Sequence, residues 1–168
     1  MKPTAPPVKR GRPGTNGDWY SAISRRNAVT NGSSLSLVTP EGPAFEGEAE
    51  MLVVPGAAGE IGVLARHAPL IATLKAGSTR VYLSRANQDV REFATGAGFF
   101  KVEEDRAIAL VDDAVPAHEI DDERARQQLE EAQRELARVE RGESNADRWQ
   151  LEQRIRHAEN QLTVSGRG

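Results

Sequence analysis

The stretch Gly59-Glu60-Ile61-Gly62-Val63-Leu64-Ala65-Arg66-His67-Ala68-Pro69-Leu70 crowds an acid, a base, a histidine and two glycines together, and each could serve a recognisable chemistry. A phosphate-cradling loop needs Gly-x-x-x-x-Gly-Lys-Ser/Thr between a strand and a helix, so that backbone N–H groups and the lysine meet phosphate oxygens. After Gly62 the chain has Val63-Leu64 where lysine and a hydroxyl should stand. A second candidate, Gly96-Ala97-Gly98, opens like a dinucleotide fingerprint, but Lys101 occupies the third glycine position and a strand pattern follows where a helix should begin. Metal binding by histidine needs converging ligands, and His67, His118 and His157 fall in three different elements. Nucleophilic catalysis lacks a cysteine altogether, and no serine stands in a Gly-x-Ser-x-Gly elbow. No acid, base and nucleophile converge in the pattern, so His67 reads as a structural or interfacial residue.

The elements that would position these residues fall into three textures. Residues 1 to 33 hold Pro3, Pro6, Pro7 and Pro13 and carry Lys2, Lys9, Arg10, Arg12, Arg25 and Arg26 against the single acid Asp18. Without an apolar period this segment is expected to be a disordered basic tail. It lacks the apolar core of a secretory signal, and its prolines interrupt the amphipathic helix of a mitochondrial one.

Residues 34–116 read as short strands. Apolar and β-branched runs recur at 35–39, 49–54, 61–64, 70–74, 79–83, 90–94, 99–102 and 107–111, with turn chemistry at Pro40-Glu41-Gly42-Pro43, Pro55-Gly56, Ala76-Gly77, Ala86-Asn87, Gly96-Ala97-Gly98 and Glu104-Asp105. No interval is long enough for a crossover helix, so the pattern predicts an antiparallel sandwich or barrel. Val81 and Leu83 alternate onto one face, whereas the continuous run Met51-Leu52-Val53-Val54 suits a strand covered on both faces.

After Pro116 the period changes. Ala125, Leu129, Ala132, Leu136 and Val139 step by four and three along one helical stripe, with Asp121 or Asp122 as cap and Gly142 as terminator. Asn145 or Ser144 is then expected to cap a second helix, whose stripe is Leu151, Ile155, Ala158 and Leu162. The short connection makes the helices an antiparallel hairpin over residues 120–164. Its seam of alanines predicts thin packing that can open. Glu130 with Arg134 and Glu152 with Arg156 are spaced as solvated i,i+4 pairs.

Composition excludes further classes. The total formal charge is −3 over 168 residues, so with a basic tail the body is acidic, which disfavours nucleic acid. The absence of cysteine removes disulfides and thiolate metal sites. The longest apolar runs are about a quarter of the ~20 residues that a membrane-spanning helix needs.

The segment "GEIGVLARHAPLIATLKAG" resembles the signature loop and strand of the epsilon subunit of F-type ATP synthases, equivalent to the mitochondrial delta subunit. "SLSLVTPEGPAFEGEAEMLVVPGAAGE", with an aromatic-x-Gly turn at Phe45-Glu46-Gly47, resembles the family's opening strands, and "FATGAGFFKVEEDRAIALVDDAV" its closing ones. "IDDERARQQLEEAQREL" is similar to the start of its C-terminal hairpin. The resemblance spans residues 35–164 and implies a β plus α chain: an N-terminal flattened antiparallel β-sandwich followed by a C-terminal antiparallel helix-loop-helix hairpin.

It implies a non-catalytic rotor subunit of the central stalk, in which the sandwich binds the gamma subunit and the ring of c subunits for proton-driven ATP synthesis. The hairpin would reach the alpha/beta catalytic head and restrain ATP hydrolysis. Gly59, Glu60, Ile61 and Gly62 match the family's c-ring-facing turn, and His67 matches the histidine near its gamma contact. Ile120, Asp121, Arg124 and Ala125 match Ile/Leu-Asp-x-x-Arg-Ala, with which some bacterial members hold a regulatory ATP. Those members also carry two arginines on the second helix; here His157 and Gln161 stand at these places, with Arg154 and Arg156 out of register. The implied location is peripheral, on the cytoplasmic face of a bacterial plasma membrane or the matrix side of the mitochondrial inner membrane. Neither a metal nor any other cofactor is implied. A free-standing sandwich and coiled-coil adaptor is the competing expectation.

Overall fold

The computed structural model describes residues 32–84, 86 and 88–166. The expected basic tail lies outside the described residues up to position 31, and strand β1 already begins at Ser33, inside its assigned range. Ten strands follow: β1 Ser33–Thr39, β2 Gly42–Ala49, β3 Met51–Gly56, β4 Gly59–Leu64, β5 Leu70–Leu74, β6 Gly77–Ser84, β7 Asp89–Thr95, β8 Gly98–Glu103, β9 Arg106–Val111 and β10 Ala114–Pro116. A 3-10 turn at Ala117–Glu119 leads into helices α1, Asp122–Glu140, and α2, Arg148–Ser165.

The strands hydrogen-bond in the order β10-β7-β6-β3-β5-β8-β9-β1-β2, with β4 on the free side of β3. Strands β3 and β5 meet through the single pair Gly56 and Leu74. There the ladder turns a corner and divides into two layers. Leu35 and Leu37 of β1, Leu52 and Val54 of β3, Val81 of β6, and Phe100 and Val102 of β8 bury their side chains in one cluster between these layers. Fully burying each such side chain stabilises the fold by about 1.5–3 kcal/mol before the entropy of ordering is counted. The expected sandwich is therefore present, and Leu83 packs on the same core as Val81.

Three details depart from the sequence reading. Strand β1 runs parallel to β9, because these strands are far apart in the chain and no tight hairpin dictates their direction. Strands β2 and β10 lie at the two ends of the ladder, where Pro43 and Pro116 are tolerated without costing an interior hydrogen bond. The Phe45-Glu46-Gly47 segment belongs to β2 and is not a turn, and Phe45 sets its ring edge-on to Phe93 at 6.2 Å.

Helix α1 starts as its sequence dictates: the Asp121 side chain accepts the Arg124 N–H at 3.0 Å. It ends before Gly142, whose φ of +71° is the left-handed conformation that glycine adopts without a Cβ clash. Helix α2 is capped by Asp147, which accepts from Gln150 N–H, and not by Ser144 or Asn145. Ser144 instead donates to Glu135 at 2.5 Å and closes the loop. Ala125 and Ala132 of α1 and Leu151, Ala158 and Val164 of α2 are buried, so the small-residue seam is real. Glu152 pairs with Arg148 rather than Arg156.

Candidate functional site

Two surfaces carry the residues singled out by sequence. The first lies on the sandwich. Strand β4 pairs with β3 so that Ile61 turns inward and packs against the core, while Gly59, Glu60 and Gly62 are exposed. The Glu60 carboxylate receives Arg80 Nη2 at 2.8 Å. This pair is partly solvated and contributes within about 0–1 kcal/mol, so the turn itself is held by its strand pairing. After β4 the chain bends through Arg66, whose φ of 60° is uncommon for a residue with a Cβ. The Asp105 carboxylate accepts the Arg66 N–H at 2.9 Å and holds that bend. His67 then sits half-buried with Nδ1 at 2.7 Å from the Ala68 carbonyl oxygen, an arrangement in which the protonated nitrogen donates to its own neighbour. Pro69 keeps Ala68 extended at the approach to β5.

Strand β5 continues into a feature that no motif indicated. Thr73 pairs with Phe99 of β8, and Phe99 pairs with Leu110 of β9. Ile71, Phe99 and Leu110 point away from the core and are 73%, 61% and 53% exposed. They give the outer face of one layer an apolar patch. The signal was the lack of alternation in Gly98-Phe99-Phe100: one aromatic fills the core and its neighbour must face outward.

The second surface is a cleft of about 620 Å³ between the hairpin and the end of the sandwich. Ile120, Asp121 and Arg124 line it with Arg154, Arg156, His157 and Gln161. Both out-of-register arginines are thus brought to the residues of the sequence motif. Ala125 is not: only 1% exposed, it packs in the helix seam. Asp121 is already engaged as the α1 cap, which limits what it offers a ligand.

Side chains that the sequence reading passed over close this cleft. Asp113, between β9 and β10, brings Oδ2 to 2.6 Å from Nε2 of His157 on α2. The hydrogen bond with Asp113 raises the proton affinity of His157 most, burial opposes it, and the charges of Asp113 and Asp112 add to the rise. Asn160, one helical turn along, donates from Nδ2 to the Gly77 carbonyl at 3.2 Å and to the Thr95 carbonyl at 3.0 Å. Gly77 and Thr95 are a cross-strand pair of β6 and β7. Hydrogen bonds and a charge pair therefore anchor the hairpin, and only pattern across elements distant in sequence could have revealed them. Among the described residues no group of His, Asp and Glu is arranged to hold a metal ion, and no helix is long and apolar enough to cross a membrane.

A ten-stranded sandwich with an exposed apolar face, joined to a hairpin docked through polar groups, defines a contact module of two parts. The ATP synthase delta/epsilon chain β-sandwich domain matches residues 33–117. The ATP synthase epsilon chain of Rubrobacter xylanophilus is 38% identical over 134 residues, covering 78% of this chain and 90% of the relative. That of Halalkalibacterium halodurans is 35% identical over 133 residues, covering 79% and 96%. A chain in the Euglena gracilis mitochondrial ATP synthase assembly of OSCP, F1 and c-ring shares the fold with a TM-score of 0.65 at 21% identity, covering 95% of this chain and 91% of that one. The chain belongs to the ATP synthase epsilon chain family, a non-catalytic subunit of that complex. This membership replaces the free-standing adaptor as the working identity.

Proposed function

We propose that the chain is a central-stalk rotor subunit whose sandwich is clamped to the gamma shaft and meets the c-ring through the Glu60 turn, on the protein side of an energy-coupling membrane. The observation that carries this reading is the apolar patch of Ile71, Phe99 and Leu110. Surface of that kind, on sheet strands fixed by their pairing, is suited to a standing contact. The corner bearing His67 leads directly into its first strand, β5. The test is binding of the purified chain to a gamma subunit: Phe99→Asp, which places a charge in the patch without touching the core, is expected to weaken the complex at least ~10-fold, the loss of a contact worth about 1.4 kcal/mol. Undiminished binding by this variant refutes the assignment of the face.

The hairpin is the regulatory part of the same reading: docked on the sandwich it is withdrawn from the catalytic head, and released it can reach that head and restrain hydrolysis. The cleft supports a second element. Arg124, Arg154 and Arg156 gather positive charge beside Ile120 and Asp121, a combination that suits the phosphates and base of a nucleotide. Isothermal titration with Mg-ATP is expected to give saturable heat that Arg124→Ala diminishes. Absence of heat at millimolar nucleotide removes the nucleotide from this proposal and leaves the rotor assignment standing.

A further inference from the structure

The ring of His157 has two partners and can serve only one at a time. Its Nε2 lies 2.6 Å from Asp113 Oδ2, across the boundary between hairpin and sandwich, and 2.6 Å from Nε2 of Gln161, one turn further along its own helix. A ring nitrogen carries either a proton or a lone pair. When it carries the proton, N–H donates to Asp113 and the bond joins α2 to the sandwich; Gln161 then turns its amide oxygen towards the ring. When it carries the lone pair, as in the neutral Nδ1–H tautomer, Gln161 donates an amide N–H to it, and the ring is satisfied within its helix.

The surroundings make the choice consequential. Sharing the cleft with the ring are Asp112 and Asp113 from the β9–β10 turn, Glu119 from the 3-10 turn, Asp121 and Arg124 from the head of α1, and Arg154 and Arg156 from its own helix; the charges of Asp113 and Asp112 act on the ring itself. The turns at the sandwich end are acidic, and α2 contributes cations. Removing the ring's positive charge deletes one attraction across this boundary and, when the remaining proton sits on Nδ1 so that Nε2 accepts from Gln161, leaves the Asp113 carboxylate without its hydrogen bond.

We propose that His157 is a proton-operated latch: the protonated ring pins the hairpin to Asp113, the neutral ring is retained by Gln161, and the docked fraction falls as pH rises. Asn160 sets the register in which the latch closes, since its two hydrogen bonds contain no titrating group. Docking raises the proton affinity of His157. Its stabilising effect is therefore complete below the ordinary imidazole pKa of about 6.5 and is lost as pH rises through the higher docked value. One proton limits the change in docking constant to about tenfold per pH unit.

The test needs neither a partner subunit nor a nucleotide, so its outcome is independent of the rotor and nucleotide readings. The chain has no cysteine, and dyes at the exposed positions Glu41→Cys and Gln150→Cys report the separation of sandwich and hairpin in the full chain by single-molecule energy transfer. Between pH 6 and 9 the docked fraction is expected to fall. In His157→Gln and in Asp113→Asn it is expected to be low and independent of pH, and in His157→Lys to stay high at pH 9. Asn160→Ala should lower docking at every pH and leave the pH slope intact. Thermal unfolding of the sandwich in each variant verifies that the fold persists. A docked fraction constant from pH 6 to 9 in the parent chain overturns the latch. So does a pH slope that survives in His157→Gln, and a loss of that slope in His118→Gln would assign it to the exposed histidine of the 3-10 turn.

Discussion

Single atoms decide why some residues of this chain are what they are. Gly98 looked like part of a nucleotide fingerprint, yet it lies in β8 opposite Val111, and a Cβ built there would stand 1.9 Å from the Leu110 carbonyl oxygen and 2.8 Å from Val111 Cα. Both obstacles are backbone, which cannot rotate aside as a side chain does. Gly98→Ala is therefore expected to force β8 and β9 apart and destabilise the sandwich by about 1–3 kcal/mol, read as a lower denaturation midpoint in urea at unchanged slope. A cost under half a kcal/mol would mean that the strand pair yields easily and that the glycine has another reason. The comparison with His67 is instructive. That residue had the more suggestive chemistry, but its ring is occupied by the carbonyl of Ala68, and the bend beneath it depends on the Asp105 carboxylate reaching the Arg66 amide.

Elements were legible in proportion to how locally they are determined. The period of α1 and its stop at Gly142 depend on residues within one turn of each other, and the structure reproduces both. The eight strands other than β2 and β10 declared themselves by apolar and β-branched runs that supply buried side chains to the core cluster. Strands β2 and β10 did not, since an edge strand such as β2 is largely exposed and accepts Pro43 and Gly47, residues that read as turn. The cap of α2 was misplaced for a related reason: Ser144, Asn145 and Asp147 are all competent caps, and the loop chose Asp147 after Ser144 had been taken by Glu135. The cleft was half-visible. Ile120, Asp121 and Arg124 stood out as a motif, and Arg154, Arg156, His157 and Gln161 were visible only as departures from one. Asp113 and Asn160 acquire meaning through contacts spanning 44 and at least 65 positions of sequence, which no local pattern encodes.

At the scale of the molecule, the two kinds of interface differ in what breaks them. The patch of Ile71, Phe99 and Leu110 would hold a partner chiefly by excluding water, with Lys101, the cross-strand partner of Ile71, as the charge on the same face. The boundary between hairpin and sandwich is crossed by the His157–Asp113 pair and the Asn160 amide, polar contacts that, on the proposed latch, a proton or a competing charged ligand reverses. On the proposed reading, permanent attachment to the shaft and reversible regulation thus use different chemistry on one chain, and a third contact, the Glu60 turn, faces the ring. That turn can be tested apart from the rest. Glu60→Arg sets a second cation beside Arg80, its present partner at 2.8 Å, so a fall in proton-driven synthesis could come from repulsion within the sandwich as easily as from a lost contact with the ring. The charge swap Glu60→Arg with Arg80→Glu restores the internal pair but leaves the outward charge reversed. In reconstituted membranes the single and double variants are both expected to assemble and to lose coupling, seen as weaker proton pumping for the same rate of ATP hydrolysis. Recovery of pumping in the swap would assign Glu60 an internal role only, and undiminished pumping in the single variant would remove the turn from the coupling path.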